Sequence, residues 1–155
     1  MHLLRCAKQK YRARGGVMSG FEKREAAWIA LNRTRTRIFA RAEQALVAAG
    51  YPRLHWYDVL WELEREPEGL RPKQLEEQLL FDQSSFSRQV ARMAEDGLLT
   101  RHAVSGDGRG RILRITEKGR KLRQQMWEIY RIHIDEGIDE AQQSKAFTAI
   151  TELGD

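Results

Sequence analysis

Seven residues at positions 105–111, SGDGRGR, pose the first chemical question in this chain. Glycines alternate there with Asp107 and Arg109. A glycine-rich loop can cradle a phosphate on its backbone N–H groups. A second group, QSSFSR at 83–88, places Gln83, Ser84, Ser85 and Ser87 beside Arg88. Small polar side chains and one long bidentate donor suit hydrogen bonding to base edges, and Arg92, one turn further on, suits a phosphate. A third, dispersed set is Trp28, Arg33, Arg37, His55, Trp56, Tyr130 and His133. Aromatic walls and cations of this kind could hold a small aromatic acid. At helical spacing the same aromatic residues also fit an ordinary core, and His55 fits a helix cap.

Enzymatic readings find no support. There is no GxxxxGK[ST], no H-E-x-x-H and no ordered Ser/His/Asp set. Four histidines and the lone Cys6 show no metal-ligand spacing, so neither metal nor cofactor is expected. A single cysteine cannot form an intramolecular disulfide, which fits a reducing cytoplasm.

The elements around SGDGRGR decide its role. LLTRHAV before it and RILRIT after it alternate apolar with polar residues and read as strands. A phosphate-cradling loop runs from a strand into a helix N-terminus. Here strand follows loop, so 105–111 is read as the tip of a β-hairpin. Its glycines then serve the reversal of the chain. Arg109, with Arg111 beside it, is left to reach an anion, and Asp107 could pair with Arg109 and fix its direction.

Upstream, residues 21–49 read as a long helix with apolar positions Trp28, Leu31, Ile38, Phe39, Ala42 and Leu46, ended by Gly50. Residues 54–66 repeat Trp56, Leu60 and Leu63 at helical spacing. Pro72 suits the first turn of a short helix, PKQLEEQLL, which also carries Lys73 as a candidate phosphate contact. Asp82 or Ser84 can cap the next helix, whose stripe is Phe86, Val90, Met93 and Ala94, with Gly97 at its end. After the hairpin, Thr116 is placed to cap a helix reaching about residue 138, and a shorter helix is expected at about 140–153. Short helix, turn, second helix and hairpin make a winged helix-turn-helix. In that motif the second helix enters the major groove and the hairpin can send an arginine into the minor groove.

At this point the run from 54 to 119 resembles the MarR family of winged-helix bacterial regulators. The resemblance rests on DQSSFSRQVARMAEDGLLTR and on DGRGRILRITEKG, and it extends over about residues 21–153. It implies groove-reading positions at Ser84, Ser85, Ser87 and Arg88, and wing-tip positions at Asp107 and Arg109. It also implies a homodimer in which the first helix and the last two intertwine with those of a second copy. Many family members release DNA when a small, often aromatic, carboxylate binds. Oxidant-sensing members carry a cysteine within the first helix, where this chain has none, so redox sensing through Cys6 is not expected.

Charge agrees with this placement. Residues 82–123 hold ten Lys/Arg against five Asp/Glu, around the second helix and the wing. Residues 1–24 hold seven against one. The first part of that stretch lacks apolar periodicity, so residues 1–20 read as a basic leader: a disordered extension or a start taken upstream of Met18, with a basic arm that touches DNA as the alternative. No apolar run approaches the ~20 residues of a membrane span. The expected class is mainly α with a β-hairpin wing. The expected segments are the leader, a first dimerisation helix at 21–53, a DNA-binding lobe at 54–119 and C-terminal dimerisation helices at 120–155. The expected function is a cytoplasmic, homodimeric repressor that binds a pseudo-palindromic operator in double-stranded DNA and answers to a small aromatic or phenolic effector. A winged-helix module for protein or RNA contacts is the alternative.

Overall fold

The computed structural model describes residues 20–79, 86–104 and 107–143, with the backbone alone at 104 and 107–110. Its elements are α1 (Gly20–Ala48), α2 (Leu54–Arg65), α3 (Pro72–Gln78), α4 (Phe86–Glu95), β1 (Leu99–Val104), β2 (Asp107–Ile115) and α5 (Glu117–Gln142). The fold is mainly helical with one antiparallel two-stranded hairpin, as the sequence pattern predicts. The chain divides into two compact units, residues 35–139 and residues 1–34 with 140–155.

Within 35–139 the apolar stripes meet in two clusters. In the first, Leu60 and Leu63 of α2, Leu75 of α3, Val90 and Met93 of α4, and Leu99 and Leu113 of the hairpin are buried together. Each such side chain contributes about 1.5–3 kcal/mol of transfer free energy. This cluster fixes α4 on α2, α3 and the wing, leaving the opposite side of α4 in water. The second cluster joins Ala42 and Leu46 of α1, Leu54 and Tyr57 of α2, and Met126 and Tyr130 of α5.

The ends of the helices follow from local chemistry. Gly97 takes φ +69°, and the N–H of Leu98 returns to the Met93 carbonyl at 2.9 Å, closing α4. Thr116 caps α5 as expected, its Oγ1 accepting from the Gly119 N–H at 3.1 Å. The same hydroxyl donates to the Gly97 carbonyl at 2.7 Å, tying the end of α4 to the start of α5. The cap of α2 differs from expectation. Glu43 Oε2 accepts the Leu54 N–H at 2.7 Å, so a carboxylate from α1 takes the place assigned to His55.

Two boundaries also differ. Residues 140–142 continue α5, so a separate helix does not begin at 140; residues 144–153 lie outside the described residues. The wing strand begins at Asp107 rather than after Gly110, so 107–110 are strand residues and not the tip. Val104 pairs with Asp107 while Ala103 pairs with Arg111. Residues 108–110 therefore form a bulge opposite a single step of β1.

Exposed apolar residues complete the picture. Phe21, Trp28 and Leu31 of α1 are open to solvent on this chain, Trp28 at 68%. Among the described residues no helix is long and apolar enough to cross a membrane.

Candidate nucleic-acid interface

Helix α4 presents two faces of different chemistry. Phe86, Val90 and Met93 are buried. Ser87, Arg88 and Arg92 are exposed on the other side. Neither arginine has an ion-pair partner among the described residues. A short helix ahead of α4 and a hairpin after it complete the winged motif. Gln83, Ser84 and Ser85, with the expected caps Asp82 and Ser84, lie outside the described residues.

Lys73 stands in the first turn of α3, fully open to solvent, with its Nζ 4.0 Å from Glu77. The turn before it is set by Arg71, whose N–H donates to the Gln74 side chain at 3.0 Å. The wing is anchored at its base. Leu70 and Leu113 exchange backbone hydrogen bonds at 3.0 and 2.8 Å. Arg114 donates to the Glu68 carbonyl at 2.9 Å and pairs with its carboxylate at 3.1 Å. Arg111 is exposed on β2, Arg109 stands in the bulge and Asp107 opens the strand. His102 is engaged with Thr100 Oγ1 at 2.8 Å on the exposed side of β1.

The dispersed ligand set is divided between the two units. Trp28 and Arg33 belong to the unit formed by 1–34 and 140–155. Arg37 is exposed on α1. Tyr130 is core, 9% exposed, with its ring edge-on to Tyr57 at 5.3 Å. His133 Nδ1 lies 3.3 Å from Glu136 on its own helix. Among the described residues of this set, His55 and Trp56 line one cavity. It measures about 370 Å³ and is lined by Pro52, Arg53, His55 and Trp56 at the start of α2 and by Arg88, Gln89 and Arg92 of α4. Burial holds the His55 imidazole below its usual pKa; Glu43 opposes this and Arg53 adds to it. Sequence reasoning missed Arg53 and Gln89 here, although Arg53 stands two residues before His55.

It also missed a buried acid. Asp58 Oδ2 is inaccessible and has no hydrogen-bond partner among the described residues. Burial pushes the Asp58 carboxyl up to about 7, with Glu62 adding to the shift and Arg35 opposing it. Burial, with the Asp58 charge next, also raises the Tyr130 hydroxyl. Its position on α2, one residue after a buried tyrosine, carried no signal of this.

Comparison with known proteins places this geometry. Residues 49–110 match the model of the MarR family. The fold is shared with Sco3205 of Streptomyces coelicolor, a MarR-family regulator solved in complex with DNA, at 16% identity, covering 92% of this chain and 88% of that one, with a TM-score of 0.67. It is shared with E. coli MarR in its apo form at 16% identity, 79% and 88% coverage and TM-score 0.63. It is shared also with CouR of Rhodococcus jostii RHA1, solved bound to p-coumaroyl-CoA, at 24% identity, 76% and 89% coverage and TM-score 0.56. No curated protein sequence matches the chain. The resemblance read from the sequence is thus found in both comparisons, in the pattern of residues 49–110 and in the fold.

Proposed function

We propose that this chain is a MarR-family transcriptional regulator that binds double-stranded DNA sequence-specifically as a homodimer and acts as a repressor. The observation that carries the reading is α4. Its apolar side is locked into the lobe, and its outward side offers Ser87, Arg88 and Arg92 beside an anchored wing. Ser84, Ser85, Ser87 and Arg88, with Gln83, read base edges in the major groove. Arg92 and Lys73 hold the backbone. Arg109 and Arg111 engage the minor groove, with Asp107 orienting Arg109. Residues 54–119 form the DNA-binding lobe, and residues 21–53 and 120–155 supply the dimerisation helices. The exposed Phe21, Trp28 and Leu31 support that assignment. Two copies related by a two-fold axis fit a pseudo-palindromic operator with half-sites about one helical turn, ~34 Å, apart. A small aromatic or phenolic ligand releases the operator.

The test is fluorescence anisotropy with labelled duplexes from the region upstream of the protein's own reading frame, against a shuffled duplex, at two salt concentrations. The reading expects tight binding to one duplex with two subunits per site. Equal and steeply salt-dependent binding to all duplexes would leave only the charge of residues 82–123 at work. An absence of duplex binding, with RNA or a protein captured instead, would replace the reading with a winged-helix interaction module.

A further inference from the structure

The cavity between the start of α2 and the side of α4 is lined by charge of one sign. Arg53, His55, Arg88 and Arg92 border it, and among the described residues that line it there is no carboxylate. Guanidinium groups gathered around one space repel one another unless an anion lies between them. The carboxylate that faces this corner from α1, Glu43, is already engaged. Its Oε2 accepts the Leu54 N–H at 2.7 Å, and its Oε1 lies 3.7 Å from Arg53. The other walls are the Pro52 ring and the Trp56 indole, and Trp56 is held against the first core cluster. Arginines suit a phosphate, and apolar ring surfaces suit the carbon face of the sugar attached to it. At about 370 Å³ the space exceeds a lone oxyanion and has room for a phosphate with its flanking sugars.

We infer that this cavity seats a backbone phosphate of the bound duplex, with Arg53 and His55 of the α2 end as contacts alongside Arg92. The inference rests on the reading of α4 as the groove helix and adds a pair of residues from a second element. Phosphate contacts set position while base contacts set sequence, so a hold from α2 fixes how α4 lies in the groove. His55 links that hold to a proton. The charged groups facing it are Glu43 from α1, Arg53 beside it, and Arg88 and Arg92 from α4. In the free chain burial keeps the imidazole below its usual pKa; Glu43 opposes this and Arg53 adds to it. A phosphate oxygen beside the ring favours the charged form instead. Between the free and the bound pKa, binding therefore takes up a proton, and affinity falls as pH rises through that interval.

The test is duplex binding by the whole protein and two variants, measured by anisotropy. Arg53→Ala is expected to weaken preferred and shuffled duplexes alike, about tenfold, and to reduce the salt slope by about 1. His55→Gln keeps a hydrogen-bond donor that cannot charge. It should bind like the wild type at about pH 8 and more weakly at about pH 5, with the wild type's loss of affinity between those values removed. The phosphate itself is found with preferred duplexes in which single phosphates are replaced by uncharged methylphosphonates. One position in each half-site should weaken the wild type and leave Arg53→Ala indifferent. An unchanged salt slope in Arg53→Ala would overturn the inference. So would a pH dependence that persists in His55→Gln, or a scan in which wild type and Arg53→Ala respond alike at every position. Specific binding that depends on Arg88 but not on Arg53 or His55 would leave the groove reading standing and sink this inference alone. If no duplex is preferred, the groove reading fails on its own. The His55 imidazole, followed by NMR with and without a shuffled duplex, then tests the contact separately, and an unmoved titration overturns it.

Discussion

The Arg123 guanidinium of α5 is paired with the Glu64 carboxylate of α2, and both are largely withdrawn from water, at 12% and 22% exposure. The same guanidinium lies 5.9 Å from the Tyr57 ring and 5.3 Å from the Trp61 ring. The pair therefore fastens two helices through charge and aromatic contact together. Removing either partner strands the other charge in a poorly solvated place. Arg123→Ala is expected to lose about 2–4 kcal/mol of stability, and Glu64→Ala a similar amount. The double variant should lose clearly less than the sum. Urea denaturation of the three variants measures this, and additive losses would show the two residues to be uncoupled.

Arg88 and Arg92 should separate in a binding assay. Arg88→Ala is expected to cost about 1–3 kcal/mol on the preferred duplex and to relax base preference at one position. Arg92→Ala should weaken preferred and shuffled duplexes alike and reduce the salt slope by about 1. A salt slope unmoved by Arg92→Ala would remove it from the backbone contact.

Asp58 should make stability depend on pH. Its carboxyl is raised from 3.8 to about 7 in the folded chain, mainly by burial. Between those values the folded state holds a proton that the unfolded state has lost. Stability therefore falls as pH rises through that window and levels off above about 7. Asp58→Asn removes the cost of the buried charge. It should raise stability at pH 8 by on the order of 1–2 kcal/mol and change it little at about pH 4. Thermal melts of both proteins at the two pH values test this, and an equal shift at both would assign the effect to packing.

Gly69 should tolerate no side chain. It takes φ +82°, and a β-carbon there would run into the Leu113 carbonyl and the Ile112 side chain. Gly69→Ala is expected to destabilise by about 1–3 kcal/mol and to loosen the base of the wing. Gly20→Ala, where nothing lies within 4 Å, is the control and should change stability by a few tenths of a kcal/mol. Differential scanning calorimetry compares them.

The periodic elements were legible because their physics is local. Phe86, Val90 and Met93 repeat at the spacing of a helix face, and they are buried. Leu99 and Leu113 announced strands by alternation, and Thr116 announced a cap three residues before the Gly119 N–H that it accepts. What sequence pattern missed depends on contacts between elements. The wing bulge at 108–110 is a matter of register. The pairing of Glu64 with Arg123 joins residues of two different helices. The cavity exists because α4 packs where Arg88 and Arg92 face Arg53, and nothing in the spacing of Trp28, Arg33 or Arg37 distinguished those residues from the two, His55 and Trp56, that do line it.

The Glu43 cap on α2 has a consequence for the order in which the chain assembles. Its carboxylate reaches the Leu54 N–H across only eleven residues, and Ala42, Leu46, Leu54 and Tyr57 pack together at the same corner. Closing so short a segment costs little chain entropy. The corner is therefore expected to form before the hairpin docks on Leu70, and to belong to the folding nucleus. Glu43→Ala should then slow refolding more than it speeds unfolding. Chevron kinetics with an unchanged refolding arm would place this corner on the late side of the barrier, and the helix end that shapes the cavity would be among the last parts of the lobe to set.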